Sequence, residues 1–216
     1  MPVFKQIMPE TSNAPKGPKI RLVVIFFGAN DSVLPFGPQH VPLKTYAENL
    51  SNMVEMILDP SSSRYSADTK VIIVTPPPVN EVQWKKRCDE YGNPLDRSKE
   101  VTKAYAEAAK AVAKQHNIPS VDLWSEIMNM ISPSGVAVNG NGSIQSNGKM
   151  SHHDLSEFLY DGLHMNALGN QVFYDALMHT IKTELPDLHP DSLPIELPEF
   201  FDLPQEEYEE ALMFQK

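Results

Sequence analysis

Asp161 and His164 stand three residues apart in the segment Asp161-Gly162-Leu163-His164, directly ahead of an amphipathic stretch. A carboxylate that accepts a hydrogen bond from one imidazole nitrogen fixes the ring's tautomer and leaves the other nitrogen able to act as a base. A second chemical feature is Asn30 in Gly28-Ala29-Asn30-Asp31, immediately after the apolar run Leu22 to Phe27. Loops past the C-terminal ends of parallel strands are where substrates bind in open sheets. An amide there can donate a hydrogen bond to negative charge developing on an oxygen. Each motif alone also reads as ordinary structure: a capping Asp beside a surface His, and a turn in which Gly28 only shapes the backbone. Their combination marks Asn30, Gly28, Asp161 and His164 as one candidate catalytic site, expected to converge at the C-terminal edge of a sheet.

Other motifs carry less. His152-His153-Asp154 lies in a polar Gly/Ser/Asn stretch with no Cys/His cluster, so no metal site is expected. Cys88 has no neighbouring basic motif to depress its pKa and reads as a bland thiol. Trp84 and Tyr91 read as loop anchors. Neither G-x-x-x-x-G-K-[ST] nor G-x-G-x-x-G occurs, so no cofactor is expected.

The elements that must hold these residues follow from hydrophobic pattern. Ile20 to Phe27 is apolar except at Arg21, as in a strand buried on both faces, and Val71 to Thr75 repeats the pattern before three prolines. Between them Leu43, Ala47, Leu50, Val54 and Ile57 recur at helical spacing over 42–58. A long loop is expected after Pro78, then a helix over 98–115 carrying Val101, Tyr105, Ala108 and Val112, with Ser98 as a cap. Residues 119–124 (PSVDLW) read as a third strand, and 132–153 as a mobile surface insertion. Asn166 is placed to cap a last helix. From Pro186 onward the prolines predict an extended strand of chain across the body, with a short acidic helix at 205–214. Phe4, Ile7 and Met8 read as the last turn of a helix. Strand–helix alternation predicts a three-layer α/β/α domain with a parallel sheet.

The chain has 216 residues, enough for one core, and a single cysteine, which excludes a disulfide framework and favours the cytoplasm. No apolar run approaches the ~20 residues of a membrane span, and the N-terminal segment has no secretory pattern. Of the formal charge of -10, -9 falls between Glu184 and Lys216, leaving the body nearly neutral. There is no basic stripe for nucleic acid, and residues 196–216 read as a solvated acidic tail.

The segments Val23-Val24-Ile25-Phe26-Phe27-Gly28-Ala29-Asn30-Asp31-Ser32, Val71 to Thr75 with its triple proline, VDLW at 121–124 and DGLH at 161–164 resemble the SGNH (GDSL-type) hydrolases. With Gln39-x-Val41-Pro42-Leu43 they most resemble the fungal isoamyl acetate-hydrolysing esterases within that family. The resemblance implies a flavodoxin-like sheet, small acetate esters as substrates and acyl transfer to water through a serine. His164 would be the general base, Asp161 its orienting acid, Asn30 an oxyanion donor and Gly28 the glycine of the same block.

The family's Gly-Asp-Ser block and its second glycine block should precede the strand at 20–27, and the 19 residues there carry neither. The expectation is therefore a domain over residues 1–195 that is N-terminally truncated and an inactive or incomplete esterase. The alternative is a non-catalytic interaction protein on the same scaffold. Ser32 is expected to be a packing neighbour, not the attacking group. With its flanking strand absent, strand 20–27 would lie at a sheet edge and could drive self-association.

Overall fold

The computed structural model describes residues 2–8, 10, 19–131 and 154–194. The Gly-rich segment at 132–153, including His152 and His153, and the acidic tail at 196–216 with its expected helix lie outside the described residues.

Among the described residues three parallel strands form one sheet in the order β1 (Leu22–Phe26), β2 (Lys70–Val74), β3 (Ser120–Val121). Leu22 pairs with Lys70 and Phe26 with Val74, while Ile73 and Val74 pair with Ser120 and Val121. β2 is central, and β1 is at an edge of the described sheet. Helix α1 (Pro2–Ile7) precedes β1, and its following Met8 is buried. Arg64 ties this segment down: its Nε donates to the carbonyls of Lys5 and Met8, and its guanidinium pairs with Glu10 at 3.1 Å.

The period-two geometry of β2 divides the core. Val71 and Ile73 face one way, packing with Tyr46, Leu50, Val54 and Ile57 of α2 (Leu43–Leu58) and with Tyr105, Ala109 and Val112 of α4 (Lys99–Gln115). Ile72 and Val74 face the other way, against Leu123 and Ile127 of α5 (Leu123–Ile131) and Val172 and Ile181 of α6 (Ala167–Glu184). Helices therefore cover both faces of a sheet whose central strand is apolar at four successive positions. The successive crossovers β1–α2–β2 and β2–α4–β3 run in one direction, and their helices share one face, as connections of a single hand require.

The structure corrects four local expectations. The loop after Pro78 contains a helix, α3 (Glu81–Glu90), so Trp84 and Cys88 are helical residues. Cys88 is its only fully buried residue, with Gln83 and Trp84 half-buried, which leaves almost no apolar period to detect. The missed signal was at its start, in Asn80-Glu81-Val82-Gln83: the Asn80 side chain accepts from the amides of Val82 and Gln83, and a Gln three residues after the cap is a helix-start signature. The strand read at 119–124 is only two residues long. Asp122 turns the chain at once, accepting from the Ser125 amide, so Leu123 and Trp124 begin α5. The segment after α6 is not extended: Pro186–Leu188 and Pro190–Ser192 are 3₁₀ turns. Asn166 does cap α6, accepting from the Gly169 amide, whereas the side chain of Ser98 makes no capping hydrogen bond at α4.

Ile57 is fully buried between the sheet and α4. Ile57→Ala is expected to cost about 2–5 kcal/mol, read as a lower urea midpoint with an unchanged denaturant slope.

Candidate active site

The DGLH turn is built around Gly162, whose φ of +95° is costly for any side-chain-bearing residue. Its carbonyl accepts the Asn80 amide at 2.8 Å. A Cβ at Gly162 would lie 2.5 Å from the Asn80 carbonyl oxygen and 2.6 Å from the Trp84 amide nitrogen. The turn is thereby pressed against the first turn of α3. Asn80 extends the link, with Nδ2 donating to Asp154 Oδ1 at 3.4 Å.

Within this turn both Asp161 carboxylate oxygens are engaged. Oδ1 accepts from the amides of Leu163 and His164, at 3.1 and 2.9 Å. Oδ2 faces His164 Nδ1 at 2.9 Å and Arg87 Nε at 3.3 Å. An ionised carboxylate is acceptor-only, so Nδ1 carries the proton in the neutral ring and Nε2 is left as the basic nitrogen. Burial opposes the Asp161 charge, but the hydrogen bonds from the His164 amide, its imidazole and the Leu163 amide outweigh it, holding the carboxyl below its ordinary value. The His164 side chain is 66 % exposed, and Nε2 has no protein partner among the described residues.

Beside the imidazole stands Trp84, edge to face, with ring centroids 6.3 Å apart. Its indole N–H donates to Asp96 Oδ1 at 2.7 Å. The Arg97 guanidinium packs 5.2 Å from the Trp84 ring centroid and reaches the GAND loop, donating to the Ala29 carbonyl at 2.8 Å and to Asn30 Oδ1 at 3.3 Å. Asn30 makes no direct bond to the Asp161–His164 pair; Arg97 and Trp84 lie between them. Gly28 is buried at φ +117°. Its amide donates to Asp31 Oδ2, and an added Cβ would strike Tyr46 and Pro76. Its place is structural support for the loop.

Trp84 and Arg87 also line a cleft of about 520 Å³ with Phe36, Gln39, Tyr91 and Asn93. Trp84, Arg87 and Arg97 were not visible as site residues in the sequence. They lie in a segment without recognisable periodicity and reach the motifs only through the fold. Ser32 is fully buried, and its hydroxyl donates to the Ala29 carbonyl and lies 3.2 Å from Thr102 Oγ1. Burial pushes the Cys88 thiol up, away from nucleophilic reactivity. Among the described residues no group of three His, Cys, Asp or Glu is placed to hold a metal ion. No described helix is long and apolar enough to cross a membrane.

Two outcomes are expected from the turn. Gly162→Ala should destabilise the fold by about 1–3 kcal/mol through strain and overlap, measured by urea unfolding. Because the folded-state pKa of Asp161 is lowered, its stabilisation is complete above the unfolded value of about 3.9 and is lost as pH falls through the folded value. The melting-temperature gap between the parent protein and Asp161→Asn should thus be open at pH 6 and close below about pH 4.

The model of the GDSL-like Lipase/Acylhydrolase family matches residues 3–172. The Homo sapiens isoamyl acetate-hydrolyzing esterase 1 homolog is 31% identical over 193 residues, covering 88% of this chain and 65% of that protein. The isoamyl acetate-hydrolyzing esterase of Saccharomyces cerevisiae is 27% identical over 202 residues, covering 93% of this chain and 71% of that protein. The crystal structure of a lipase/acylhydrolase from Enterococcus faecalis is 25% identical, with a TM-score of 0.49 over 76% of this chain and 62% of that one. The chain therefore spans just under two thirds of the length of the human protein.

Proposed function

The chain belongs to the GDSL-like lipase/acylhydrolase family, and from that membership we propose that it forms the base-and-oxyanion half of a serine carboxylic-ester hydrolase acting on small acetate esters. The observation that carries the reading is the Asp161 carboxylate held on His164 Nδ1 with Nε2 exposed. In this reading Nε2 takes the proton from a serine hydroxyl as its oxygen attacks the ester carbonyl, and Asp161 stabilises the imidazolium that forms. The Asn30 amide donates to the oxyanion. The imidazolium then returns its proton to the departing alcohol, and a water, deprotonated by the same nitrogen, releases the acid. The cleft beside Trp84 and Arg87 supplies the apolar wall for the substrate. The buried, unpaired Cys88 fits a reducing compartment such as the cytoplasm.

The serine is the open part of the proposal. Gly-Asp-Ser does not occur in the 216 residues, Ser32 is spent on packing, and among the described residues no serine hydroxyl bonds to His164. We expect the 216-residue polypeptide assayed alone with an aryl acetate to show no turnover above background, and Ser32→Ala to leave that result unchanged. Turnover abolished by Ser32→Ala would overturn the packing assignment. In a natural polypeptide that adds a serine opposite His164, His164→Ala should lower kcat by about 10⁴-fold or more; retained turnover would refute the base assignment.

Self-association belongs to the same proposal. Val24 and Phe27 are exposed on edge strand β1 and its exit, and an apolar, uncharged edge invites pairing. A concentration-independent monomer in sedimentation would remove this part.

A further inference from the structure

Arg97 is 3 % exposed, and among the described residues it makes no ion pair with a carboxylate. Its donors go to neutral oxygens instead: Nη1 to the Ala29 carbonyl at 2.8 Å, and Nη2 to Asn30 Oδ1 at 3.3 Å and Gln39 Oε1 at 3.2 Å. Nε is buried without a partner. A guanidinium removed from water, with no carboxylate in contact and only the more distant charges of Asp96 and Asp161 to offset it, is a costly way to join two loops, and a neutral side chain of similar volume would fold more favourably. The face of Trp84, 5.2 Å away, returns part of that cost.

The partners explain why a cation is there. A guanidinium can only donate, so the Asn30 atom it contacts must be the carbonyl oxygen. The opposite end of the amide, Nδ2, is thereby directed away from Arg97, and it has no protein partner among the described residues. Asn30 itself is solvent-exposed, so nothing else seen in the structure distinguishes its two rotated states. The bond is also charge-assisted, and polarising the carbonyl strengthens the N–H groups of the same amide as donors. A second hydrogen bond, to Ala29, fixes the backbone one residue upstream.

We propose that Arg97 is a positioning residue for the oxyanion donor: it fixes the rotation of the Asn30 amide and delivers part of its buried charge through that amide to the reacting oxygen. The inference rests on the esterase reading above. Asn30 is the group that touches the substrate, and Arg97 acts only through it. Gln39, held by the same nitrogen, lines the cleft, so one side chain sets the donor and a cleft wall together.

The test is a double-mutant cycle in whichever natural form of the polypeptide hydrolyses an aryl acetate. Arg97→Met is expected to lower kcat by about 10- to 100-fold, part of the loss from removing an oxyanion donor outright, with KM changed by less than about threefold. In an Asn30→Ala background the same change should alter kcat by less than about twofold, because the group Arg97 acts on is gone. An equal loss in both backgrounds, or a fall in melting temperature with kcat intact, would overturn the proposal. Arg97→Lys, which keeps the charge without the planar fork, takes the same place in the cycle if the Met variant does not fold.

A second readout on the 216-residue chain is independent of turnover. The Nδ2 protons of Asn30 should give one resolved pair of ¹⁵N-correlated signals in the parent protein, and in Arg97→Lys this pair should shift and broaden. An unchanged pair refutes the positioning role. Absence of ester hydrolysis in every form, with the pair shifting as described, would refute the esterase reading while leaving the positioning of Asn30 intact.

Discussion

The site depends on one close approach: the backbone of Gly162 lies so near the first turn of α3 that a methyl group would not fit between them. The Asn80 amide donates to the Gly162 carbonyl while its own side chain caps the helix that follows. One residue at the end of the proline run therefore fixes both the start of α3 and the height of the DGLH turn. With the turn seated there, Asp161 meets Arg87 and the imidazole meets Trp84. Move the turn outward and these contacts fail together, although none of the four side chains has changed. The backbone contact is the constraint, and the side-chain geometry follows from it.

Behind that contact stands a sheet whose central strand is buried on both faces. β2 is followed by Thr75 and three buried prolines. The prolines have no N–H groups to satisfy, which suits a segment that must stay buried beyond the sheet. Thr75 completes the junction, its amide donating to the Val121 carbonyl and its hydroxyl accepting the Trp124 amide. The loops that hold the candidate site residues thus rise from a buried, hydrogen-bonded floor. Gly28 shows the same logic after β1, its amide held by Asp31 and its missing side chain making room for Tyr46 and Pro76.

How much of this was legible in the sequence follows from how local each signal is. The long helices α2, α4 and α6 carried amphipathic stripes or a capping Asn, and β1 and β2 carried apolar runs; the run in β2 is buried at every apolar position, whereas β1 buries only Ile25 fully and leaves Val24 exposed. The contact between Asp161 and His164 spans three residues and needs no tertiary information beyond a turn. α3 leaves little trace in the sequence because Cys88 is the only fully buried residue of its ten, and the pattern at 119–124 overstates β3 because Asp122 ends it after two residues. Arg97 could not be seen at all. Its partners Ala29, Asn30 and Gln39 are 58 to 68 positions away in sequence.

The placement of Trp84 also makes the molecule its own optical instrument. The chain has two tryptophans, and they occupy different electrical surroundings. Trp84 sits between the guanidinium of Arg97 and the edge of the His164 ring, with its N–H tied to Asp96. Trp124, on the far side of Thr75, lies under the ammonium of Lys103. The excited state of an indole responds to nearby charge, so the emission of Trp84 is expected to change when a charged or polar molecule enters the cleft it lines. With Trp124 replaced by Phe, that light becomes a label-free record of events at the site, requiring neither a chromogenic ester nor a chemical step.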